Sequence, residues 1–150
     1  MLKNNEMTLK FKALSENESF ARVCIASFLA SVNPTIDELS DIKTAVSEAV
    51  TNCVVHAYPN VVGGEIEMNA KVVDNSVYIS ITDKGIGIED INKAKQPFYT
   101  TKQTSERSGM GFTVMEGFVD KLVITSEKNK GTKIEMYKTL NKIGEVAFGV

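Results

Sequence analysis

The chain has 150 residues, of which 43% are hydrophobic and 24% charged, and a net charge of −2. That length suits one domain around a single core, residues 1–150, and the weak acidic balance argues against nucleic acid as the main partner, which would show as a basic field. No apolar run reaches membrane-spanning length, the start from Met1 to Glu6 lacks the apolar core of a signal peptide, and two unclustered cysteines make neither a disulfide framework nor a metal site, so a reduced, cytoplasmic setting without a membrane is predicted.

Met7, Leu9 and Phe11 alternate with Thr8 and Lys10, the pattern of a half-buried strand. Ser15 stands three residues before Glu18, the spacing of a capping box, and predicts a helix start. The helix from Ser19 to Val32 carries Phe20, Val23, Cys24, Ala26, Phe28 and Ala30, apolar over much of its girth. Such breadth fits core packing alone, or packing on both the core and a second subunit. Asn33-Pro34 breaks this helix. Thr35 with Glu38 repeats the capping-box spacing and opens a long helix that closes at Ser47–Tyr58. Its apolar residues, among them Ile42, Ala45, Val46, Ala49, Val50 and Cys53, recur at three- and four-residue steps. Glu48, Asn52 and His56 are four apart and stack along one side of it. A carboxylate and an amide in that relation either form a reaction centre or face solvent.

Tyr58-Pro59-Asn60 and Gly63-Gly64 end the helix, and Ile66, Met68, Ala70 and Val72 then alternate with polar residues as a strand. Asp74-Asn75-Ser76 turns the chain into a second strand, Val77–Thr82. Residues 83–108 show little periodicity, as expected of a functional lid or a disordered segment. A helix is predicted from Gly109 to Asp120, then a hairpin of Leu122–Ser126 and Thr132–Tyr137 across Lys128-Asn129-Lys130-Gly131. Hairpin-linked strands with helices in blocks predict an α+β fold, helices layered on one face of a mostly antiparallel sheet.

Two glycine segments accompany the Glu48/Asn52 helix. Asp83-Lys84-Gly85-Ile86-Gly87-Ile88 leaves a strand directly. An acid beside glycines can accept a hydrogen bond from an exocyclic amine while a flat ring approaches the backbone, although Gly85 and Gly87 could equally just shape a turn. Ser108-Gly109-Met110-Gly111-Phe112-Thr113 opens a helix, whose free N–H groups suit a phosphate. Neither segment meets the dinucleotide fingerprint, and no G-x-x-x-x-G-K-[ST] is present.

In this order the segments resemble the ATP-binding domain shared by DNA gyrase, the Hsp90 chaperone, sensor histidine kinases and MutL, the GHKL superfamily with its Bergerat fold and mixed sheet. Glu48–His56 matches its N box, Asp83–Gly87 its first glycine box and Gly109–Gly111 its second, within a match over residues 35–138. The short serine-kinase branch of anti-sigma factors from endospore-forming bacteria fits best, on Asn17-Glu18-Ser19-Phe20-Ala21-Arg22, Ser47–Asn52 and Glu106–Thr113.

The resemblance implies a role for each matching residue. Glu48 is the expected general base, and Asn52 the expected ligand of Mg²⁺ on the ATP phosphates. Asp83 is expected to bind the adenine amine, with Gly85 and Gly87 leaving room for the ring. Gly109, Met110 and Gly111 are expected to cradle phosphates under a lid over 88–108, to which Thr100, Thr101 and Lys102 belong, with Arg107 on the γ-phosphate. His56, the one histidine, is expected to serve structure within the N box, and no second histidine is there to act as a sensor kinase's phosphoacceptor. The implied function is inhibition of a sporulation sigma factor of the sigma F type, joined to ATP-dependent phosphorylation of its anti-sigma factor antagonist on serine. A homodimer is expected, with the first strand and the Phe20–Ala30 stretch as candidate dimer surfaces and Arg22 as a candidate partner contact. A stress-type anti-sigma kinase and a non-catalytic sequesterer are the alternatives.

Overall fold

The computed structural model describes residues 4–59, 63–91 and 111–141. Its elements run β1 (Asn4–Lys12), α1 (Glu16–Leu29), a single 3₁₀ turn (Ala30–Val32), α2 (Ile36–Asn52), a wider π-type turn (Cys53–Ala57), β2 (Glu65–Val73), β3 (Ser76–Asp83), α3 (Gly111–Phe118), β4 (Lys121–Glu127) and β5 (Gly131–Thr139). The five strands form one sheet in the order β1-β2-β3-β5-β4. The fold is α+β, as expected. Among the described residues all four pairings are antiparallel, in line with the mostly antiparallel sheet expected and without the parallel pair that a mixed sheet would add. β2–β3 and β4–β5 are hairpins, and the longer connections deliver β2 beside β1 and β5 beside β3 in the same antiparallel sense.

Alternation decides which face the helices cover. Ile66, Met68, Ala70 and Val72 of β2 are buried, and they lie opposite Asp83, Ile81, Ile79 and Val77 of β3. Ile134 and Met136 of β5 extend the layer on the other side. Against it pack Ala21, Ile25 and Leu29 of α1, Ile42, Ala45, Val46, Ala49 and Val50 of α2, and Phe112 and Met115 of α3. Each helix contributes residues at three- and four-residue steps, the stripe that meets a flat apolar surface. The central strand β3 thus ends with an acid, Asp83, flanked on the same face by buried Ile66 and Thr132 of the neighbouring strands.

The two capping boxes expected from the sequence differ in outcome. At Thr35 both hydrogen bonds form: Glu38 N–H donates to Thr35 Oγ1 at 3.1 Å, and Thr35 N–H to Glu38 Oε1 at 2.9 Å. Ser15 instead lies in the helical region and makes no side-chain cap. Its supposed partner Glu18 accepts from Ser47 Oγ on α2 and pairs with Arg22 at 3.3 Å. A tertiary partner has displaced the local one.

The breadth of apolar residues on α1 is not used up by the core. Phe20 is 48% and Val23 67% exposed, while Cys24 and Phe28 pack partly against the interior. Among the described residues, no helix is long and apolar enough to cross a membrane.

Candidate active site

Three parts of the chain meet at one end of the sheet. The first is the C-terminal half of α2. Glu48 and Asn52 are both half-buried, so the solvent-facing alternative for this pair does not hold. They face the start of α3: a β-carbon on Gly111 would stand 3.5 Å from Glu48 Oε2 and 3.6 Å from Asn52 Oδ1. The absence of a side chain at Gly111 therefore leaves open the space in front of a carboxylate and an amide, at the positive end of a helix. Beyond Asn52 the helix widens into the π-type turn, a local departure often found at functional sites. That turn carries Cys53, His56 and Ala57, with Cys53 and Ala57 buried.

The second part is the strand end. Asp83 is 5% exposed, and its Oδ1 accepts from Gly85 N–H at 2.9 Å and its Oδ2 from the Cys53 thiol at 3.4 Å. Burial raises the Asp83 carboxyl above its ordinary value, and hydrogen bonds from the Gly85 backbone, the Cys53 thiol and the Thr132 backbone act against that rise. Burial, and then the neighbouring Asp83 charge, push the Cys53 thiol well up. The glycines that follow are needed for contact. A β-carbon on Gly85 would overlap the Ala57 carbonyl, and Ile86 N–H donates to that same oxygen at 2.9 Å. Gly87 has φ +76°, and a β-carbon there would overlap the Glu127 carbonyl. Both contacts are with the chain's own backbone, as the turn-shaping reading of these glycines expects.

The third part is the β4–β5 hairpin, which the sequence reading left out of the site. Asn129 N–H donates to Ile86 O at 2.7 Å, and Ile88 N–H to Ser126 Oγ at 2.7 Å. Thr132 lies opposite Asp83 in the β3–β5 register. The one hint in the sequence was parity, since Thr132 starts the inward-facing series continued by Ile134 and Met136. Together the three parts enclose a pocket of about 330 Å³, its mouth included, lined by Asn52, Cys53, His56, Asp83, Gly87 and Thr132 among others.

Of the residues singled out in the sequence, Asn52, Asp83 and Gly87 line this pocket, Gly85 underpins the loop beside it, and Glu48 and Gly111 adjoin Asn52. Thr100, Thr101, Lys102, Arg107, Gly109 and Met110 lie outside the described residues. Arg22 is remote in sequence but tied to α2, through Glu18 and Ser47, at the residue before Glu48.

The family described as "Histidine kinase-like ATPase domain" matches residues 11–138. An anti-sigma F factor of Clostridium botulinum (strain Eklund 17B / Type B) is 55% identical over 137 residues, covering 91% of this chain and 96% of that protein. The chain belongs to the anti-sigma F factor family. A second member, from Bacillus velezensis, is 53% identical over 138 residues, 92% of this chain and 94% of that protein. Solved structures carry the same fold at lower identity. The RsbU and RsbW domains of a Mycobacterium tuberculosis protein superpose with a TM-score of 0.68 at 20% identity, over 95% of this chain and 34% of that one. The catalytic domain of the histidine kinase ThkA gives 0.57 at 17% identity, over 92% and 96%. Within the anti-sigma F factor family, the segments Glu48–His56 and Asp83–Gly87 of this chain therefore sit on a histidine kinase-like ATPase scaffold.

Proposed function

We propose that this chain is an ATP-dependent protein serine kinase that also sequesters a sporulation sigma factor of the sigma F type. The observation that carries the reading is a pocket lined both by a buried acid, Asp83, and by Asn52, which shares the space in front of Gly111 with Glu48. Asp83 accepts the exocyclic amine of adenine, and the Gly85–Gly87 loop gives the ring a flat wall. Gly111, with Gly109 and Met110 before it, receives the phosphates at the start of α3. The lid residues Thr100, Thr101 and Lys102 close over them, and Arg107 grips the γ-phosphate with its two-pronged guanidinium. Glu48 orients or deprotonates the serine hydroxyl of the protein substrate as general base.

The donor set suits a hard cation. Among the described residues, no group of three or more His, Cys, Asp or Glu side chains converges on a metal position. Mg²⁺ needs few protein oxygens when a triphosphate supplies the rest, and the Asn52 amide oxygen is such a ligand. When bound, the ion supplies neutralisation of the phosphate charge.

The protein substrate is an anti-sigma factor antagonist. The names of the 50–55% identical relatives support the sporulation type over a stress-type kinase. Phe20 and Val23, exposed on α1, support a homodimer through that helix and the neighbouring first strand, with Arg22 as the contact for sigma factor or antagonist. The free cysteines Cys24 and Cys53 support a reducing cytoplasm. Non-catalytic sequestration is the second reading, and the presence of Glu48 beside Asn52 favours turnover over it. The test is incubation of the chain with Mg-ATP and a candidate antagonist, followed by phosphoserine detection. Phosphoserine on the antagonist supports the kinase; nucleotide uptake and sigma binding without phosphoserine sink it in favour of the sequesterer.

A further inference from the structure

Asp83 is held at both carboxylate oxygens by donors of different kinds. Gly85 N–H holds Oδ1 at 2.9 Å and comes with the loop itself, whereas the donor to Oδ2 at 3.4 Å is a side chain from another element, the Cys53 thiol, with the Thr132 backbone of β5 a further donor to the carboxylate. Cys53 is 1% exposed, begins the π-type turn after α2, and lines the same pocket as Asp83. The terminal torsion of an aspartate is broad and nearly two-fold, so a carboxylate anchored at one oxygen swings about that anchor. Anchored at both, it presents its remaining lone pairs in fixed directions.

We propose that Cys53 is a positioning residue for purine recognition: its thiol, by donating to Asp83 Oδ2, holds the carboxylate in the orientation that accepts an exocyclic amine. This rests on the nucleotide reading above and adds to it a residue that touches Asp83 rather than the ligand's reacting atoms. A thiol is a weak donor, which leaves Oδ2 most of its accepting capacity. The competing account is that Cys53 is a small apolar filler between α2 and β3, as buried cysteines commonly are. In that case its removal affects every ligand of the pocket alike, whereas a positioning thiol affects only ligands that carry the amine.

Binding of two probes to the full chain with Mg²⁺ separates these accounts: ATP, and purine riboside triphosphate, which is ATP lacking its exocyclic amine. Cys53→Ala removes the donor, Cys53→Val removes it while still filling the space, and Cys53→Ser restores one. The expected result is that wild type prefers ATP, and that the Ala and Val variants lose about threefold to tenfold in ATP affinity, the worth of one hydrogen bond, with purine riboside triphosphate changed by less than about twofold. Cys53→Ser recovers the preference for ATP. Equal losses for both probes, or an ATP preference untouched in the variants, overturn the role of Cys53 and leave the nucleotide reading standing. A wild-type chain that takes up neither probe overturns both. Should the Ala variant fail to fold, the Val and Ser variants carry the same comparison.

Discussion

Glu48 and Asn52 are one helical turn apart, yet they are expected to fail differently. The proposed base would act only in the transition state, so Glu48→Ala should lower phosphoryl transfer by about a hundredfold to ten-thousandfold while ATP affinity stays near wild type. Asn52→Ala should weaken Mg-ATP binding itself, by roughly tenfold for the loss of one charge-assisted contact. Single-turnover phosphorylation together with equilibrium dialysis distinguishes the two, and a Glu48→Ala protein with normal transfer rates would remove the base from the scheme. Asp83 makes a separate prediction. Its folded-state pKa is raised by burial, so the native chain holds that proton more tightly than the unfolded chain does. The ionised acid therefore costs stability at neutral pH, and the cost fades as pH falls through the folded value toward the ordinary carboxylate range. Asp83→Asn should raise Tm at neutral pH while abolishing ATP binding, and the Tm difference from wild type should shrink in acid. Melting curves over a pH series check this, and a Tm that falls at neutral pH would contradict it.

At the scale of elements, the start of α2 and the loop after β3 each give a sharp expectation. Thr35→Ala deletes a formed cap and should cost about 1 kcal/mol, seen in a chemical denaturation curve as a lower midpoint with unchanged slope. Glu38, the other half of that box, would be raised by burial alone. Hydrogen bonds from Thr35 and from the Asn141 backbone, with the Lys138 charge, outweigh this and hold its carboxyl below the ordinary value. Its contribution is therefore present above the ordinary carboxylate pKa and lost as pH falls through the folded one. Gly85→Ala drives a methyl group into the Ala57 carbonyl, so the loop must leave the π-type turn. Nucleotide binding should be lost with the far-UV circular dichroism spectrum kept, because the clash lies at the pocket and not among the buried residues of the sheet. Retained ATP binding in Gly85→Ala would show that this loop is not the wall of the site.

At the scale of the molecule, a ligand held between α2, the end of β3 and the β4–β5 hairpin ties together segments far apart in sequence. Binding only to the folded state adds about 2.7 kcal/mol at a hundred times Kd, which for a domain of this size is roughly 5–10 °C in Tm. Mg-ATP should produce that shift in a thermal scan. The Asp83→Asn protein should not show it, which separates a specific pocket from general anion binding.

What could be read from the residues alone was whatever depends on near neighbours in the chain. The Thr35–Glu38 box, the alternation of β2 and β3, the Glu48/Asn52 stripe and the first glycine segment are local patterns, and each backbone follows from steric and hydrogen-bonding preferences within a few residues. Ser15 and Glu18 had the same local spacing as Thr35 and Glu38, but Ser47, twenty-nine positions on, took the Glu18 carboxylate instead. The bond from Cys53 to Asp83, the clasp of Ser126 and Asn129 on the glycine loop, and the place of Thr132 opposite Asp83 were likewise settled only by folding. A polar group chooses among all the partners that packing brings within hydrogen-bonding reach, and for these residues the winning partner came from another element.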